Sequence, residues 1–357
     1  MIRRTPLNLS AGNARYRAMI GTGGIGSGIF FGLDGDHTLG REESRSGHLL
    51  DRRDYCKLHI VAHYVRRLLG ASFPVIAAGM VGADAAGEAL LGEMADAGLD
   101  LRYVGKAEGR RTLLSVCLIY PDGAGCNVTE NDSACAQVDG DWIARAGPEF
   151  ERFAGAGIAV ALPEVPLGAR RALLALGTAH RFLRVASFTT SEIRELGGRL
   201  PDSDLLALNL DEAAALAELA GIAGLGEEEG RPDRVVEAAL AITKGPAMVT
   251  VTAGAQGSWS WDGADLRHLP ALPVRVASTA GAGDAHLAGA IAGLAAGLPL
   301  AEAHQLGALA GAVAVTSPHT INDELDRDSL RECAEAARAS LADRVWALLA
   351  PDQGEPH

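Results

Sequence analysis

Short apolar runs alternate with amphipathic stretches along most of this chain. Residues 18–20 read as a first strand, and residues 73–77, 157–162, 182–186, 205–208 and 248–252 as further buried strands. Between them lie helical patterns. Residues 52–69 place Ile60, Val61, Val65 and Leu68 at helical spacing, residues 85–98 form a second helix ending at a glycine, and a third helix lies near 167–176. Strand and helix in alternation predict an α/β fold, a central mostly parallel sheet covered by helices on both faces.

Three stretches depart from that alternation. Residues 21–40 are glycine-rich and read as irregular, with an apolar segment at 29–31. Residues 112–120 are β-like and run into the turn Pro121-Asp-Gly123, so a small β appendage is expected there. Residues 258–261 and 266–269, separated by Asp262-Gly263, read as a hairpin. The acidic loop 224–233 reads as a solvated connector. No linker composition interrupts the chain, so a single domain over 1–357 is expected, with lid elements within about 27–50 and 101–130.

Hydrophobic residues make up 48% of the 357, enough for a sizeable core, while aromatics are only 4%, so the packing must rely on small side chains. The formal net charge of −13 argues against a nucleic-acid partner. A phosphorylated ligand would then need a local positive site, such as a helix N-terminus or a metal ion. Five cysteines without a Cys-x-x-Cys pair fit reduced thiols in a cytoplasmic protein. Cys126 and Cys135 have no ligand cluster around them. No signal-peptide-like run follows the basic start, and the apolar stretch 287–315 is interrupted by Pro299, Glu302 and His304, so no membrane segment is expected. Its spaced glycines Gly289, Gly293, Gly297, Gly307 and Gly311 read as two closely packed helices.

The sharpest chemical signal is Ser278-Thr-Ala-Gly-Ala-Gly-Asp284. Residues 274–276 read as the end of a strand before it, and the alanine-rich run after it is strongly helical. Gly281 and Gly283 therefore sit at a loop-to-helix junction. Unpaired N–H groups and the helix dipole make that junction an anion site, and glycines let a phosphate approach closely. Asp284, beside it, can take a proton from an attacking hydroxyl. Asn209 and Glu212 stand at a strand-to-helix junction, where their side chains can converge on hydrated Mg²⁺ and phosphate, or simply form a capping box. Thr252, Gly254 and Gly257 follow a strand, where a glycine turn can hold a nucleotide or merely open a hairpin.

Taken together, Asn-x-x-Glu, Thr-x-Gly-x-x-Gly and Gly-Ala-Gly-Asp in this order resemble the ribokinase-like (PfkB) carbohydrate kinases. Val81-Gly-Ala-Asp-Ala-Ala-Gly87 is similar to that family's Gly-x-Asp-x-x-Gly segment, and the likeness covers roughly residues 18–322. It implies a ribokinase-like three-layer sandwich with a small β lid. It implies ATP and Mg²⁺ as cofactors, and transfer of the γ-phosphoryl group to a hydroxyl of a sugar or sugar-like molecule. Carried over residue by residue, Asp284 is the general base, and Gly281, Ala282 and Gly283 form the anion hole. Asn209 and Glu212 serve Mg²⁺, largely through water. Thr252, Gly254, Gly257 and Thr279, with Asn209, line the nucleotide site.

The acceptor side departs from the family. Gly26 stands near the place of a sugar-binding aspartate, and Asp54-Tyr-Cys-Lys57-Leu-His-Ile60 replaces a Gly-Gly-x-x-x-Asn motif. Asp54 and Lys57 are the candidates for replacement contacts. Ser278 replaces an aspartate associated with a monovalent-cation site, which argues against potassium activation. Ala308 lies near the place of a common asparagine by the adenine. His59 and His63, four residues apart, read as satisfied or surface histidines. An exposed β lid invites pairing into a homodimer.

Two other classes stay open. One is a catalytically silent nucleotide- or sugar-binding protein on a kinase fold. The other is a dinucleotide-binding oxidoreductase, since Gly21-Thr-Gly-Gly-Ile-Gly26 is a literal Gly-x-Gly-x-x-Gly. That motif requires a helix to start there, which the following glycines disfavour. No Gly-x-x-x-x-Gly-Lys-Ser/Thr occurs, which excludes a P-loop kinase.

Overall fold

A computed structural model describes residues 5–9, 14–121, 125–219, 232–242 and 247–351. Its strands in chain order are β1 (Ala18–Thr22), β2 (Gly26–Leu33), β3 (Gly47–Tyr55), β4 (Val75–Gly82), β5 (Asp100–Ala107), β6 (Leu113–Ile119), β7 (Gly125–Thr129), β8 (Gly157–Ala161), β9 (Leu183–Ser187), β10 (Leu205–Asn209), β11 (Met248–Thr252), β12 (Ser258–Trp261) and β13 (Leu266–Leu269). Its α-helices are α1 (Lys57–Leu69), α2 (Ala85–Asp96), α3 (Gly140–Ala144), α4 (Gly147–Arg152), α5 (Leu167–Ala179), α6 (Thr190–Glu195), α7 (Leu210–Leu219), α8 (Pro232–Ile242), α9 (Ala282–Ala295), α10 (Leu300–Ala314), α11 (Arg327–Ala336) and α12 (Asp343–Leu349).

Nine strands form one sheet in the order β13-β12-β11-β10-β9-β8-β1-β4-β5, parallel from β11 to β5 and antiparallel at β11–β12 and β12–β13. Strands β1 and β8 are buried at every position, as expected when helices cover both faces. One core layer joins α1, α9, α10, α11 and α12. The other joins α3, α4, α5, α7 and α8. The result is a three-layer sandwich, as the alternating pattern predicted. The strand order reverses between β1 and β8, so their carboxyl ends open a crevice.

Helices α9 and α10 pack backbone to backbone. A Cβ on Gly289 would come 2.6 Å from Leu306 O and 2.9 Å from Ala310 Cβ, and one on Gly293 would come 2.7 Å from Ala303 Cα. This close approach, and not a membrane, explains the glycine spacing. No described helix is long and apolar enough to cross a membrane. Gly289→Val should lower stability by roughly 1–3 kcal/mol through overpacking. Thermal unfolding checks this, and an unchanged Tm would mean the helices are not so tightly apposed.

Four strands form a second sheet, β3-β2-β6-β7. Here the sequence reading needs correction. Residues 26–33, expected to be irregular, form a full strand, because glycines let its neighbours close in. A Cβ on Gly26 would lie 2.5 Å from Leu113 O, and one on Gly28 would lie 1.9 Å from Asp54 Oδ2. The helix expected from residue 52 begins only at Lys57, since pairing with β2 holds residues 47–55 extended. Residues 100–107 pair with β4 in the large sheet and not in the small one. Residues 274–276 are not a strand. Asp122 and Gly123 of the expected turn, and residues 224–231 of the acidic loop, lie outside the described residues.

Asp84 ties the two sheets together. It N-caps α2 by accepting from Gly87 N at 2.8 Å, and it takes Thr112 N at 2.8 Å and Thr112 Oγ1 at 2.6 Å. Thr112 immediately precedes β6, so the Gly82-Ala-Asp84 turn clamps the base of the small sheet.

Candidate active site

After β1 the chain runs through Gly23, Gly24 and Ile25 directly into β2, and no helix starts there. The dinucleotide-binding reading fails on this geometry. The glycines of the Gly281–Gly283 motif do meet a helix. Gly281 is the N-cap of α9, in the left-handed region at φ 78, and a Cβ there would come 2.5 Å from Thr320 O. Only glycine satisfies both demands. Asp284 is the third residue of α9, within its first turn.

A cleft of about 740 Å³ opens at this helix start. It is lined by Asp284, Gly281, Ala282, Gly283 and Thr279, by Asn209 and Glu212, by Thr252, Gly254 and Gly257, and by Lys57. Eleven residues singled out in the sequence thus converge from four separate segments. Register accounts for part of this, since Asn209 pairs with Thr252 at the carboxyl ends of β10 and β11. Thr252 Oγ1 in turn lies 3.8 Å from where a Cβ of Gly283 would be. The far end is apolar, walled by Leu272, Val274, Val276, Ala308 and Ala312. It suits a flat base, as the motif end suits phosphates.

Some candidates carry local structural duties as well. Asn209 and Glu212 do form a capping box, Asn209 N donating to Glu212 Oε2 and Glu212 N to Asn209 Oδ1, both at 2.8 Å. Gly257, at φ 90, lies against the Leu269 backbone of the hairpin, where a Cβ would clash at 2.1 Å. Ser278 Oγ accepts from Ala280 N at 3.3 Å and shapes the loop before α9.

Lys57 reaches in from the start of α1, with its Nζ 3.6 Å from Asp284 Oδ1. The two side chains are 33% and 17% exposed, so the pair is shielded but open to the cleft. Burial raises the Asp284 carboxyl above the usual aspartate range, and Lys57 opposes that rise. Reciprocally, the Asp284 charge lifts the Lys57 ammonium above the ordinary lysine range. Glu212 is raised to about 7, chiefly by burial.

Asp54 does not line the cleft. It is 6% exposed on β3, accepting from Ser115 Oγ at 2.9 Å and Cys117 Sγ at 3.5 Å. Burial raises its carboxyl. Near the start of α1 lies another carboxyl, which the sequence reading did not single out. Glu164 follows β8 at the point where the strand order reverses, and its Oε2 accepts Lys57 N at 3.1 Å. It holds a left-handed backbone, φ 74, unusual for a glutamate. Burial lifts its carboxyl to about 7, against the pull of Lys57. A Cβ on Gly24 would sit 2.1 Å from Glu164 Oε2, so the glycine makes room for the carboxylate. An acidic residue just past a wholly apolar strand was the available signal.

His59 and His63 are buried, at 1% and 8% exposure, and line a separate cavity of about 270 Å³, so neither is a surface histidine. No group of three or more potential metal ligands among His, Cys, Asp and Glu occurs among the described residues. Cys135 is buried with its Sγ near Ile25 O and Met80 O, and Cys126 is exposed, so the two do not meet as a metal pair.

Residues 61–327 match the model of the pfkB family of carbohydrate kinases, three-quarters of the chain. The chain belongs to this family. Solved structures agree on the fold. This pfkB-family chain superposes on ribokinase of Cryptococcus neoformans var. grubii serotype A, in complex with ADP, with a TM-score of 0.72 and 20% identity over 89% of this chain and 99% of that one. Ribokinase of Arabidopsis thaliana, complexed with ribose and ATP, gives a TM-score of 0.64 and 18% identity over 89% and 98%. At such identities the likeness is one of fold. Fructoselysine 6-kinase of Escherichia coli (strain K12) is 42% identical over 59 residues, 16% of this chain and 23% of that protein. The sugar kinase YegV of the same organism, itself uncharacterized, is 44% identical over 55 residues, 15% and 17%. The matched stretches therefore span less than a quarter of these curated relatives.

Proposed function

We propose that the protein transfers the γ-phosphoryl group of ATP to a hydroxyl of a sugar or sugar-like molecule, with Asp284 as the general base. The carrying observation is that Asp284 stands in the first turn of α9, beside left-handed Gly281, inside a cleft that also holds Lys57 and Glu212. With the base of ATP against Leu272, Val276 and Ala312, its phosphates extend past Thr252 and Gly254 toward α9. The N–H groups of Gly281, Ala282 and Gly283 and the helix dipole receive the charge that builds on the transferring group. Lys57 adds a fixed positive charge next to the carboxylate. The acceptor hydroxyl donates to Asp284, which takes the proton as oxygen attacks phosphorus in line.

The donor set fits a magnesium ion held mainly by phosphates and water, since Glu212 and Asp284 supply carboxylates and no dedicated cage exists among the described residues. Bound there with ATP, Mg²⁺ would neutralise phosphate charge. Asn209 and Glu212, locked by their capping box, would orient its water shell. Glu212→Gln should then raise the Mg²⁺ concentration for half-maximal rate several-fold, roughly what one charge-assisted contact contributes. A Mg²⁺ titration that does not move would count against this role.

An ATP-consumption screen over sugars, sugar acids, nucleosides and polyols tests the activity. Fructoselysine belongs in it because of the relative named above. ATP binding without turnover on any acceptor would favour a silent binding protein. All five cysteines are free, which suits a reducing cytoplasm. The small sheet presents Ile29, Leu49, Leu114 and Val128 to solvent, and a second copy of the chain is the partner we assign to that face. Sedimentation should show a dimer that Leu49→Arg weakens.

A further inference from the structure

We infer that the cavity between α1, α2 and residues 321–323 is a second binding site, for a small organic cation, and that its occupant is felt at the phosphate end of the cleft. The inference goes beyond the phosphotransfer reading, which uses none of the residues lining this cavity. The cavity measures about 270 Å³, a size for a small ligand. Its floor is aromatic. Tyr55 closes β3, and His59 and His63 lie one turn apart on α1. The Tyr55 and His59 ring centroids are 4.5 Å apart, and those of His59 and His63 are 6.2 Å apart. The rim is exposed and acidic, with Glu93 and Asp96 from α2 and Asp323 from the loop before α11.

The charges do not balance inside this cavity. Arg53, in the same lining, is engaged by Asp323 at 2.7 Å. Among the described residues Glu93 and Asp96 form no ion pair. His59 does not compensate, since burial lowers its pKa to about 4 and leaves the ring neutral. His59 is 1% exposed, and its Nδ1 has no hydrogen-bond partner. Buried nitrogens are almost always partnered, so a lone one in a cavity wall points to an occupant that supplies the partner. An ammonium or guanidinium does so. It offers donors to a neutral imidazole and to carboxylates, and its charge is attracted to the Tyr55 ring. No three His, Asp or Glu side chains among the described residues are grouped to hold a metal ion, so the occupant is organic. An anion would meet Glu93 and Asp96 unopposed.

Two segments join this cavity to the active site. In sequence, Tyr55 and His59 flank Lys57, whose ammonium lies 3.6 Å from Asp284. Tyr55 N also donates to Thr320 Oγ1 at 3.0 Å. Thr320 precedes Ile321 of the cavity wall and lies against Gly281, where a Cβ would come 2.5 Å from Thr320 O. An occupant that holds these segments in place favours the arrangement that receives phosphate.

Calorimetric titration of the full chain with putrescine at physiological ionic strength tests the site, with 1,4-butanediol and succinate as neutral and anionic four-carbon counterparts. One equivalent of putrescine should bind, about tenfold or more tighter than either counterpart, the yield of one charge-assisted hydrogen bond. Glu93→Gln with Asp96→Asn should abolish that binding, and both positions are exposed, so the variant should fold. His59→Phe should weaken binding several-fold. Glu332→Gln with Glu335→Gln, the same neutralisation at exposed positions of α11, should leave it unchanged, which separates a built site from general attraction to an acidic chain. With Mg²⁺ in excess, to keep the nucleotide from binding the amine itself, saturating putrescine should tighten MgATP about fivefold, and MgATP should tighten putrescine by the same factor. Binding that survives Glu93→Gln with Asp96→Asn, or that falls equally in the α11 variant, overturns the inference. So does Zn²⁺ binding that His59→Phe abolishes, without putrescine binding. An unchanged MgATP affinity overturns the link to the active site. Failure of MgATP to bind at all removes the phosphotransfer reading and leaves the putrescine titrations to decide this one.

Discussion

Asp284→Asn is expected to lower kcat by a factor on the order of 10² to 10⁴, the range of a lost general base, while ATP affinity changes only a few-fold. Asparagine keeps the size and an oxygen in the first turn of α9, so the anion site and Gly281 remain as they are. What disappears is a group able to take the hydroxyl proton. Removing a negative charge beside the phosphates should, if anything, tighten nucleotide binding. Rapid-quench turnover together with calorimetric ATP titration separates the two effects. A variant that retains turnover would remove Asp284 as the base. One that loses ATP binding in parallel would recast it as a structural residue.

Lys57→Met should be nearly as damaging to turnover, and its signature is a shifted pH profile. Burial and Lys57 pull Asp284 in opposite directions, burial upward and the ammonium downward. Removing the ammonium leaves burial unopposed, so the carboxyl rises further. Catalysis needs the ionised form, which exists above that pKa. The acid limb of kcat/KM must therefore move to higher pH in Lys57→Met, and the loss at neutral pH should exceed the loss at pH 9. The pair is partly open to solvent, so its coupling is worth less than that of a fully buried ion pair, for which removing one partner costs about 3–5 kcal/mol. A tenfold to hundredfold fall in kcat/KM at pH 7 is the corresponding expectation. An acid limb that stays in place would show that Lys57 does not set the state of Asp284. Lys57→Arg, which keeps the charge, should keep the limb near its original position.

Local chemistry made much of this protein legible before any fold was known. The apolar strands at residues 157–161, 205–209 and 248–252 announce themselves by composition, because a strand covered on both faces must be apolar throughout. Gly281-Ala-Gly-Asp284 was equally plain, since glycines at the start of an alanine-rich run mark a helix N-terminus that a ligand can approach closely. The converging site residues were found one segment at a time.

The glycine-rich residues 26–33 misled, because glycine ordinarily signals a loop, and what makes them a strand is the proximity of Leu113 and Asp54. Asp54 was taken for an acceptor contact because the segment 54–60 stands in place of the family's Gly-Gly-x-x-x-Asn motif, yet it lies on β3, and its carboxylate turns to Ser115. Glu164 went unnoticed because its one signal, an acidic residue shortly after an apolar strand, does not by itself mark a site. The class of fold was written in the alternation of strand and helix along the chain, and the helix start at Gly281 with Asp284 in its first turn in one short segment. That Lys57 stands beside Asp284, and that Glu164 meets the start of α1, emerged only on folding. Those outcomes depend on distances between β1, β8, α1 and α9, which are set by packing across the sheet and are encoded in no single stretch of chain.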